Sequence, residues 1–153
     1  MANIAQMINA LQAMIMTDRE KMVLTPTYYV LKMYVPFQDA TFVPVTFDAS
    51  TYTRGDITLP RVDAIAAKDT SGKLWLELTN LDPNESTEVA VNLHGISAKS
   101  AVGETLTAPK VDSVNTFETP NTVVPKPVAA KVQDNKLSLE LEPKSVTVIS
   151  LEQ

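Results

Sequence analysis

The first sixteen residues of the chain combine helical spacing of apolar side chains with a lack of charged ones. No Lys, Arg, Asp or Glu occurs before Asp18. The apolar residues recur at steps of three or four: Ile4, Met7, Ile8, Leu11, Met14 and Ile15. Such spacing places them on one broad face of a helix with 3.6 residues per turn. We therefore predict a helix over residues 1–16 that other parts of a larger protein cover.

Two other interpretations of this opening fit less well. A signal peptide would begin with basic residues and end at a small-residue cleavage site, whereas this run is uncharged and interrupted by amides. A membrane-spanning helix needs about 20 predominantly apolar residues. The run is shorter than that, so we expect no membrane partner.

A second, shorter helix is predicted after the charged connector at residues 17–21. Thr25 is a suitable N-cap, and Pro26 suits the first helical position because it has no backbone N–H to leave unpaired. The helix should run through residues 28–34. Pro36 should end it.

From residue 40 onward the pattern is typical of strands. Leu74, Leu76 and Leu78 alternate with Trp75 and other residues of the opposite face, the period expected of a half-buried strand. The same alternation or a β-rich composition recurs at residues 41–47, 63–68, 89–93, 137–141 and 146–151. Pro44 indicates an edge strand or a bulge.

Turn signals separate these segments, which predicts that neighbouring segments pair as antiparallel hairpins. Each has one apolar face, so two such sheets would pack together as a jelly-roll-like β-sandwich. Residues 107–127 contain four prolines and little alternation. We predict a long irregular crossover there.

Composition narrows the class of protein. The 153 residues suit one ordinary domain with an appendage, and the chain contains no cysteine. The formal net charge of -5 argues against binding to nucleic acid, which depends on neutralising phosphates. The absence of cysteine fits a cytoplasmic protein.

Candidate chemistry is sparse. The single histidine, His94, precedes Gly95 at the end of a predicted strand without a second metal ligand nearby, so we interpret it as a surface residue and expect no metal or cofactor. Phosphate-binding loops, nucleophile elbows and zinc-protease motifs are missing from the sequence. Acidic residues fall in turns or on the polar sides of strands, where solvent exposure is expected: Asp69, Asp82, Asp134, Glu77, Glu88 and Glu140.

Several motifs nevertheless resemble one family. The two longest are ANIAQMINALQAMI at residues 2–15 and KMVLTPTY at residues 21–28. Further matches are Met33-Tyr34, Gln38-Asp39-Ala40, Asn80-Leu81-Asp82-Pro83 and Asp112-Ser113-Val114-Asn115-Thr116-Phe117. Together they resemble the C-terminal third of α-L-arabinofuranosidases of glycoside hydrolase family 51.

The resemblance implies that residues 1–38 are a helical remnant of a (β/α)8 catalytic barrel, with its last helix over residues 3–16. Residues 39–153 would form the C-terminal β-sandwich. The fold is thus mainly β, preceded by one or two helices. The two catalytic glutamates of this retaining family lie on barrel strands upstream, and the segments that carry them do not occur in this sequence. No catalytic residue is expected here.

One substrate-binding residue is implied. The glutamine of the Ala-Gln motif lies at the arabinose pocket in the family, and it corresponds to Gln6. An amide can donate to one sugar hydroxyl and accept from another, which suits positioning. For Asn9 two roles stay open, a packing hydrogen bond or a sugar contact.

The resemblance therefore predicts a structural and assembly fragment of an enzyme that removes terminal arabinofuranosyl groups from arabinan or arabinoxylan oligosaccharides. The alternative is an autonomous carbohydrate-binding sandwich, which would need an exposed aromatic platform, with Trp75 as the only tryptophan. In the family, the sandwich also receives a strand from the far N-terminus of the whole protein. An uncovered first helix and an open sheet edge would both favour a homo-oligomer.

Overall fold

The computed structural model describes residues 6–11 and 13–152. It is mainly antiparallel β structure with one α-helix, α1 (Pro26–Met33), and a 3-10 turn over Val35–Phe37. The strands are β1 (Ile15–Asp18), β2 (Lys21–Leu24), β3 (Thr41–Val43), β4 (Thr51–Arg54), β5 (Ile57–Pro60), β6 (Val62–Lys68), β7 (Leu74–Asn80), β8 (Thr87–Asn92), β9 (Ser100–Leu106), β10 (Lys126–Pro127), β11 (Ala130–Gln133), β12 (Lys136–Leu141) and β13 (Ser145–Glu152).

Two sheets form the predicted sandwich. The larger has six strands in the order β10-β9-β13-β7-β6-β3, and the smaller has three in the order β11-β12-β8. Alternate leucines of β7 and β12 face each other across the core: Leu74, Leu76, Leu78, Leu137, Leu139 and Leu141. Because side chains alternate between the faces of a strand, one apolar residue in every two is enough to build this core. The predicted fold class is confirmed.

The predicted hairpin pairing is only partly correct. β6 and β7 pair as consecutive antiparallel strands, but β7 does not pair with β8, nor β12 with β13. Instead, β7 pairs with β13, and β8 pairs with β12. The chain crosses between the sheets because the leucines of β7 and β12 must approach the same core from opposite sides.

The helix predicted over residues 1–16, read as the last barrel helix, is wrong wherever these residues are described. Residues 6–11, 13 and 14 are irregular, with bends, a turn and an isolated bridge between Ile8 and Ile15. Ile15–Asp18 is a strand paired with Lys21–Leu24, and residues 1–5 and 12 lie outside the described part. The N–H of Asn9 donates to the carbonyl of Ile15 at 3.0 Å, and the N–H of Ile15 donates to the carbonyl of Met7 at 3.0 Å. These bonds replace the helical ones.

The predicted short helix is confirmed. Thr25 caps α1, with its side-chain oxygen accepting from the N–H of Tyr28, and Pro26 occupies the first turn. Helix α1 packs on the outer face of the six-stranded sheet, away from the main core. A second apolar cluster forms there from Met33, Leu106, Val123 and Val148, with Trp75 packed against it.

The other predictions about loops are also confirmed. β3 ends just before Pro44 and lies at the edge of the larger sheet. Residues 107–125 contain no helix or strand, as expected of a long crossover. Seven strands were not predicted from the sequence: β1, β2, β4, β5, β9, β10 and β11. β4 and β5 form a separate two-stranded hairpin, and β9 pairs with β13 in the larger sheet.

Candidate functional site

Gln6, the predicted substrate-binding residue, lies in the irregular segment that precedes β1. Its side chain is exposed, and the neighbouring residues Met7 and Ile8 are exposed as well. An exposed amide on this segment is free to bind a ligand or another part of a protein.

Asn9 has a structural role. Its backbone adopts the left-handed conformation, with φ of 54°, which Asn tolerates better than most residues. Its side-chain amide nitrogen donates to the Thr17 hydroxyl at 2.8 Å, and its side-chain oxygen accepts from the Thr17 N–H at 2.7 Å. Both ends of the amide therefore hold the segment against β1, which supports the packing role left open above.

Thr25 connects the segment to helix α1. Its hydroxyl donates to the carbonyl of Ala13 at 2.8 Å, and its N–H donates to the carbonyl of Met14 at 3.0 Å. The same side-chain oxygen caps the helix at Tyr28. Because one residue makes all these bonds, the position of the Gln6 segment depends on the position of α1.

Asn115 fixes the end of the β1–β2 hairpin to the long crossover. Its side-chain nitrogen donates to the carbonyl of Leu24 at 2.8 Å and to the carbonyl of Val123 at 2.9 Å. Its side-chain oxygen accepts from the N–H of Val123 at 2.7 Å. Asn115 is only 1% exposed. The motif at residues 112–117 includes Asn115, but the motif alone does not predict this clamp, because Leu24 is far away in the sequence.

The N-terminal segment and hairpin keep a large apolar surface exposed. Leu11 is 91% exposed and Met22 is 62% exposed, whereas Ala13 and Val23 are buried. Side chains of this kind on a surface indicate contact with another protein surface when they cluster. The side of the segment and hairpin that carries Ala13 and Val23 is therefore packed, and the side that carries Leu11 and Met22 is exposed to solvent.

Glu77 contradicts the prediction that it faces solvent. It lies on the polar face of β7, as expected, but only 1% of it is exposed. The hydroxyl of Thr79 donates to its Oε1 at 2.5 Å. Burial raises the pKa of Glu77, and the hydrogen bonds from Thr79 and Tyr34 oppose that rise. The prediction of solvent exposure for Glu77 was wrong because α1 covers this face of the sheet.

Asp82 is also buried although it lies in a turn. Its Oδ1 accepts from the N–H groups of Asn84 and Glu85 at 2.9 and 3.1 Å, and its Oδ2 pairs with Arg61 at 3.1 Å. These backbone bonds and the Arg61 charge lower the pKa of Asp82. The arrangement stabilises a turn. Glu88, Asp134 and Glu140 are exposed, as predicted.

His94 is exposed in a turn after β8, as predicted. Within residues 6–11 and 13–152, no group of three or more His, Cys, Asp or Glu side chains is arranged to hold a metal ion. In the same ranges, no helix has the length and apolar character needed to cross a membrane.

A cleft of about 630 Å³ opens between β8 and the larger sheet, and residues 43–50 line one side of it. Its walls are mainly apolar, with Leu76 and Leu78 from β7 and Val89 and Val91 from β8. Within the described part of the chain, β8 is the last strand of the smaller sheet and pairs only with β12. The sandwich therefore has a bare strand edge beside an apolar cleft.

Trp75 is not an exposed aromatic platform. It is half-buried against the apolar cluster beneath α1, and its indole N–H donates to Asp69 Oδ2 at 2.8 Å. The ammonium of Lys73 lies 5.3 Å from its ring centre. A side chain held in this way cannot offer a flat face to a sugar.

These features define a β-sandwich domain with an attached helix and an N-terminal segment that faces outward. The family model for the α-L-arabinofuranosidase C-terminal domain matches residues 1–145. The chain belongs to this family.

Individual relatives agree with this assignment. The chain is 43% identical over 154 aligned residues to a Bacteroides ovatus protein named intracellular exo-alpha-L-arabinofuranosidase, covering 99% of this chain and 30% of the relative. The structure of the GH51 arabinofuranosidase from Xanthomonas axonopodis pv. citri superimposes with a TM-score of 0.95 and 42% identity, over 99% of this chain and 31% of that one.

A more distant structure has the same fold. The thermostable GH51 α-L-arabinofuranosidase from Thermotoga petrophila RKU-1 superimposes with a TM-score of 0.82 and 27% identity, over 97% of this chain and 33% of that one. The chain thus corresponds to the C-terminal domain of GH51 arabinofuranosidases. It spans about a third of the length of these relatives.

Proposed function

We propose that this chain is the non-catalytic C-terminal part of a longer α-L-arabinofuranosidase. The longer protein would release terminal arabinofuranosyl groups from arabinan or arabinoxylan oligosaccharides. The observation that carries this proposal is the family match, which extends over residues 1–145 and so includes both the N-terminal segment and the sandwich. A match confined to the sandwich would have supported the β-sandwich fold but not membership in a larger enzyme.

The N-terminal segment belongs, in this proposal, to the catalytic part of the longer protein. Residues 1–38 contribute the Gln6 segment, the β1–β2 hairpin and α1, and residues 39–153 contribute the sandwich. The exposure of Met7, Ile8 and Leu11 supports this division, since these side chains would be covered by the remainder of a barrel. Each fully buried side chain of this size contributes about 1.5–3 kcal/mol.

Gln6 would bind a hydroxyl group of the arabinose. Its amide is neither an acid nor a base near neutral pH, so its contribution would be to orient the sugar for the glutamates supplied by the rest of the protein. The hydrogen bonds of Asn9 and Thr25 support this role because they hold the segment at Asn9 and at residues 13 and 14.

The sandwich would act in structure and assembly. The bare edge of β8 and the apolar cleft beside it suit an additional strand, which the resemblance attributes to the N-terminus of the longer protein. Where its apolar N-terminal surface is left uncovered, as in the isolated chain, the protein would form a homo-oligomer. The intracellular name of the Bacteroides ovatus relative supports a cytoplasmic location.

Hydrolysis of an aryl α-L-arabinofuranoside tests the proposal. The purified 153-residue chain should not release the aryl group, whereas the longer protein that contains it should. Turnover by the pure chain that a substitution within residues 6–152 abolishes would contradict the non-catalytic assignment. Lack of turnover by the longer protein, with hydrolysis of a different glycoside, would contradict the substrate.

An autonomous carbohydrate-binding module is not favoured, because Trp75 is held against the sheet and hydrogen-bonded to Asp69. Affinity electrophoresis in gels that contain arabinan or arabinoxylan separates the two functions. The 153-residue chain should migrate as it does in a gel without polysaccharide. Retardation that Trp75→Phe abolishes would favour the module.

A further inference from the structure

A second cleft, of about 520 Å³, lies where the β4–β5 hairpin approaches the long crossover and the turn before β13. Three cationic side chains line it: Arg54 from β4, Lys110 from the crossover and Lys144 from the turn. In the described part of the chain, no acidic residue lines this cleft. The chain as a whole has a formal net charge of -5, so the charge of the cleft is opposite to that of the protein.

Lys144 is held at this cleft by two hydrogen bonds. Its backbone N–H donates to the carbonyl of Asp82 at 2.7 Å, and its ammonium group donates to the carbonyl of Pro83 at 3.0 Å. Its φ of 48° lies in the left-handed region, which is uncommon for lysine. Strain of this kind is typical of ligand sites. An ammonium group has three N–H donors, so the bond to Pro83 leaves donors for a ligand.

The ion pairs of the protein do not use the cations of this cleft. Asp82 and Glu85 both pair with Arg61, at 3.1 and 3.0 Å. Among the residues that the structure describes, the remaining ion pair joins Lys73 and Glu152. The three cations of the cleft are therefore without a carboxylate partner in that part of the chain.

The cleft also has an apolar side. Tyr52 is half-buried and Val111 is 78% exposed, and both line the cleft together with two prolines. Tyr52 and Arg54 lie on the same face of the hairpin, because side chains two positions apart in a strand point the same way. An aromatic ring beside a guanidinium group suits a ligand that has a ring next to an anionic group.

We propose that this cleft binds a small molecule that carries a phosphate group and a planar ring. A phosphate monoester has a charge of about −1.5 to −2 at pH 7, which three cations balance better than the single charge of a carboxylate requires. Arg54 binds two phosphate oxygens through its guanidinium group, and Lys110 and Lys144 donate from their ammonium groups. Tyr52 stacks on the ring.

The size of the cleft agrees with such a ligand, since small-molecule sites have volumes of about 300–1,000 Å³. The site is a property of this chain. It does not depend on which glycoside the longer protein hydrolyses.

The first test is an NMR titration of the ¹⁵N-labelled 153-residue chain with adenosine 5′-monophosphate (AMP), inorganic phosphate and adenosine. AMP and phosphate should cause saturable shifts at residues 52–54, 109–111 and 144. Phosphate should bind roughly 5- to 150-fold more weakly than AMP, the factor expected of one stacked ring. Adenosine, which lacks the anion, should not saturate.

Three results of this titration would overturn the proposal. The first is no saturation at ~10 mM AMP, where a site with a Kd of about 1 mM is almost filled. The second is equal affinity for AMP and phosphate, which excludes the ring. The third is acetate that binds as tightly as phosphate, which excludes a site for a phosphate group. The titration of the wild-type chain needs no variant to fold.

The second test compares charge-matched variants at constant ionic strength, with folding checked in the same spectra. Arg54→Gln combined with Lys110→Gln should weaken binding of AMP and of phosphate by at least about tenfold, because bonds to charged groups are lost. Lys131→Gln combined with Lys136→Gln removes the same charge from exposed residues of β11 and β12 and should change neither affinity. Tyr52→Leu should weaken the binding of AMP alone. Equal losses in the two double variants would show that only the overall charge matters and that the cleft is not a site.

Discussion

The side-chain amide of Asn115 donates to the backbone carbonyl of Leu24 over 2.8 Å, joining residues 91 positions apart in the chain. This bond connects the end of the β1–β2 hairpin to the crossover between β9 and β10. Because Asn115 also bonds to both backbone polar groups of Val123, which are buried, one side chain satisfies three backbone partners. The N-terminal region is thereby attached to the sandwich by a polar clamp in addition to the apolar packing of α1.

Asn115→Ala should reduce the free energy of unfolding by about 2–4 kcal/mol. The substitution removes the partner of the buried backbone groups of Val123 and of the partly buried carbonyl of Leu24. Each unsatisfied buried group costs about 1–3 kcal/mol, partly relieved by water. Urea denaturation of the 153-residue chain measures the change. The control is Asn92→Ala, at an exposed residue of β8, which should change stability by less than about 0.5 kcal/mol. Equal stabilities of the two variants would show that Asn115 is not a clamp.

Gln6→Ala in the longer protein should lower kcat/KM for an aryl arabinofuranoside by roughly 10–1000-fold. That range corresponds to about 1.4–4 kcal/mol of lost transition-state stabilisation. Gln38→Ala removes another exposed amide and should leave the kinetics unchanged. Wild-type kinetics in a folded Gln6→Ala enzyme would exclude Gln6 from the site.

Asp69 should make the folded chain less stable in acid. Hydrogen bonds from the Ser71 hydroxyl, the Trp75 indole and nearby backbone N–H groups lower the pKa of Asp69 from 3.8 to about 2. Because the folded-state pKa is the lower one, the stabilisation is present above pH 3.8 and is lost as the pH falls toward 2. Asp69→Asn should therefore lower the Tm most at neutral pH, with a difference from wild type that shrinks below pH 3.8.

The Tm values can be measured by Trp75 fluorescence, because the Trp75 indole N–H donates a hydrogen bond to Asp69. Asp56→Asn, in the exposed turn between β4 and β5, is the matched control. A difference in Tm between wild type and Asp69→Asn that stays constant from pH 6 to pH 2 would contradict the assignment.

The exposed N-terminal apolar surface should cause the 153-residue chain to self-associate at micromolar concentration. Leu11→Gln combined with Met22→Gln should shift the mass from light scattering toward that of a monomer, because both side chains are largely exposed in the single chain. Val102→Gln removes an exposed apolar residue of β9 and should have no such effect. A monomer before any substitution would show that this surface needs no cover in the isolated chain.

Resemblance in the sequence located one candidate site residue, and the tertiary structure supplied the groups that hold its segment. Gln6 was identified from the Ala-Gln motif. The function of Asn115 could not be predicted, because its partners Leu24 and Val123 are brought to it only by folding. Burial of Glu77 could not be predicted either, because alternation along β7 assigns a residue to a face without showing what covers that face.

The sequence by itself determined the strands with strict alternation, such as β7 and β12, and the first turn of α1. Leu74, Leu76 and Leu78 alternate strictly, and Thr25-Pro26 carries its capping chemistry in two adjacent residues, so each feature follows from local physics. Tertiary structure decided which strands pair and what the first sixteen residues become. Helical spacing at Met7, Ile8 and Leu11 was outweighed by the hydrogen bonds that Asn9 makes to Ile15 and Thr17. Those partners are reached only when the chain turns back on itself, which the local spacing of apolar residues does not reveal.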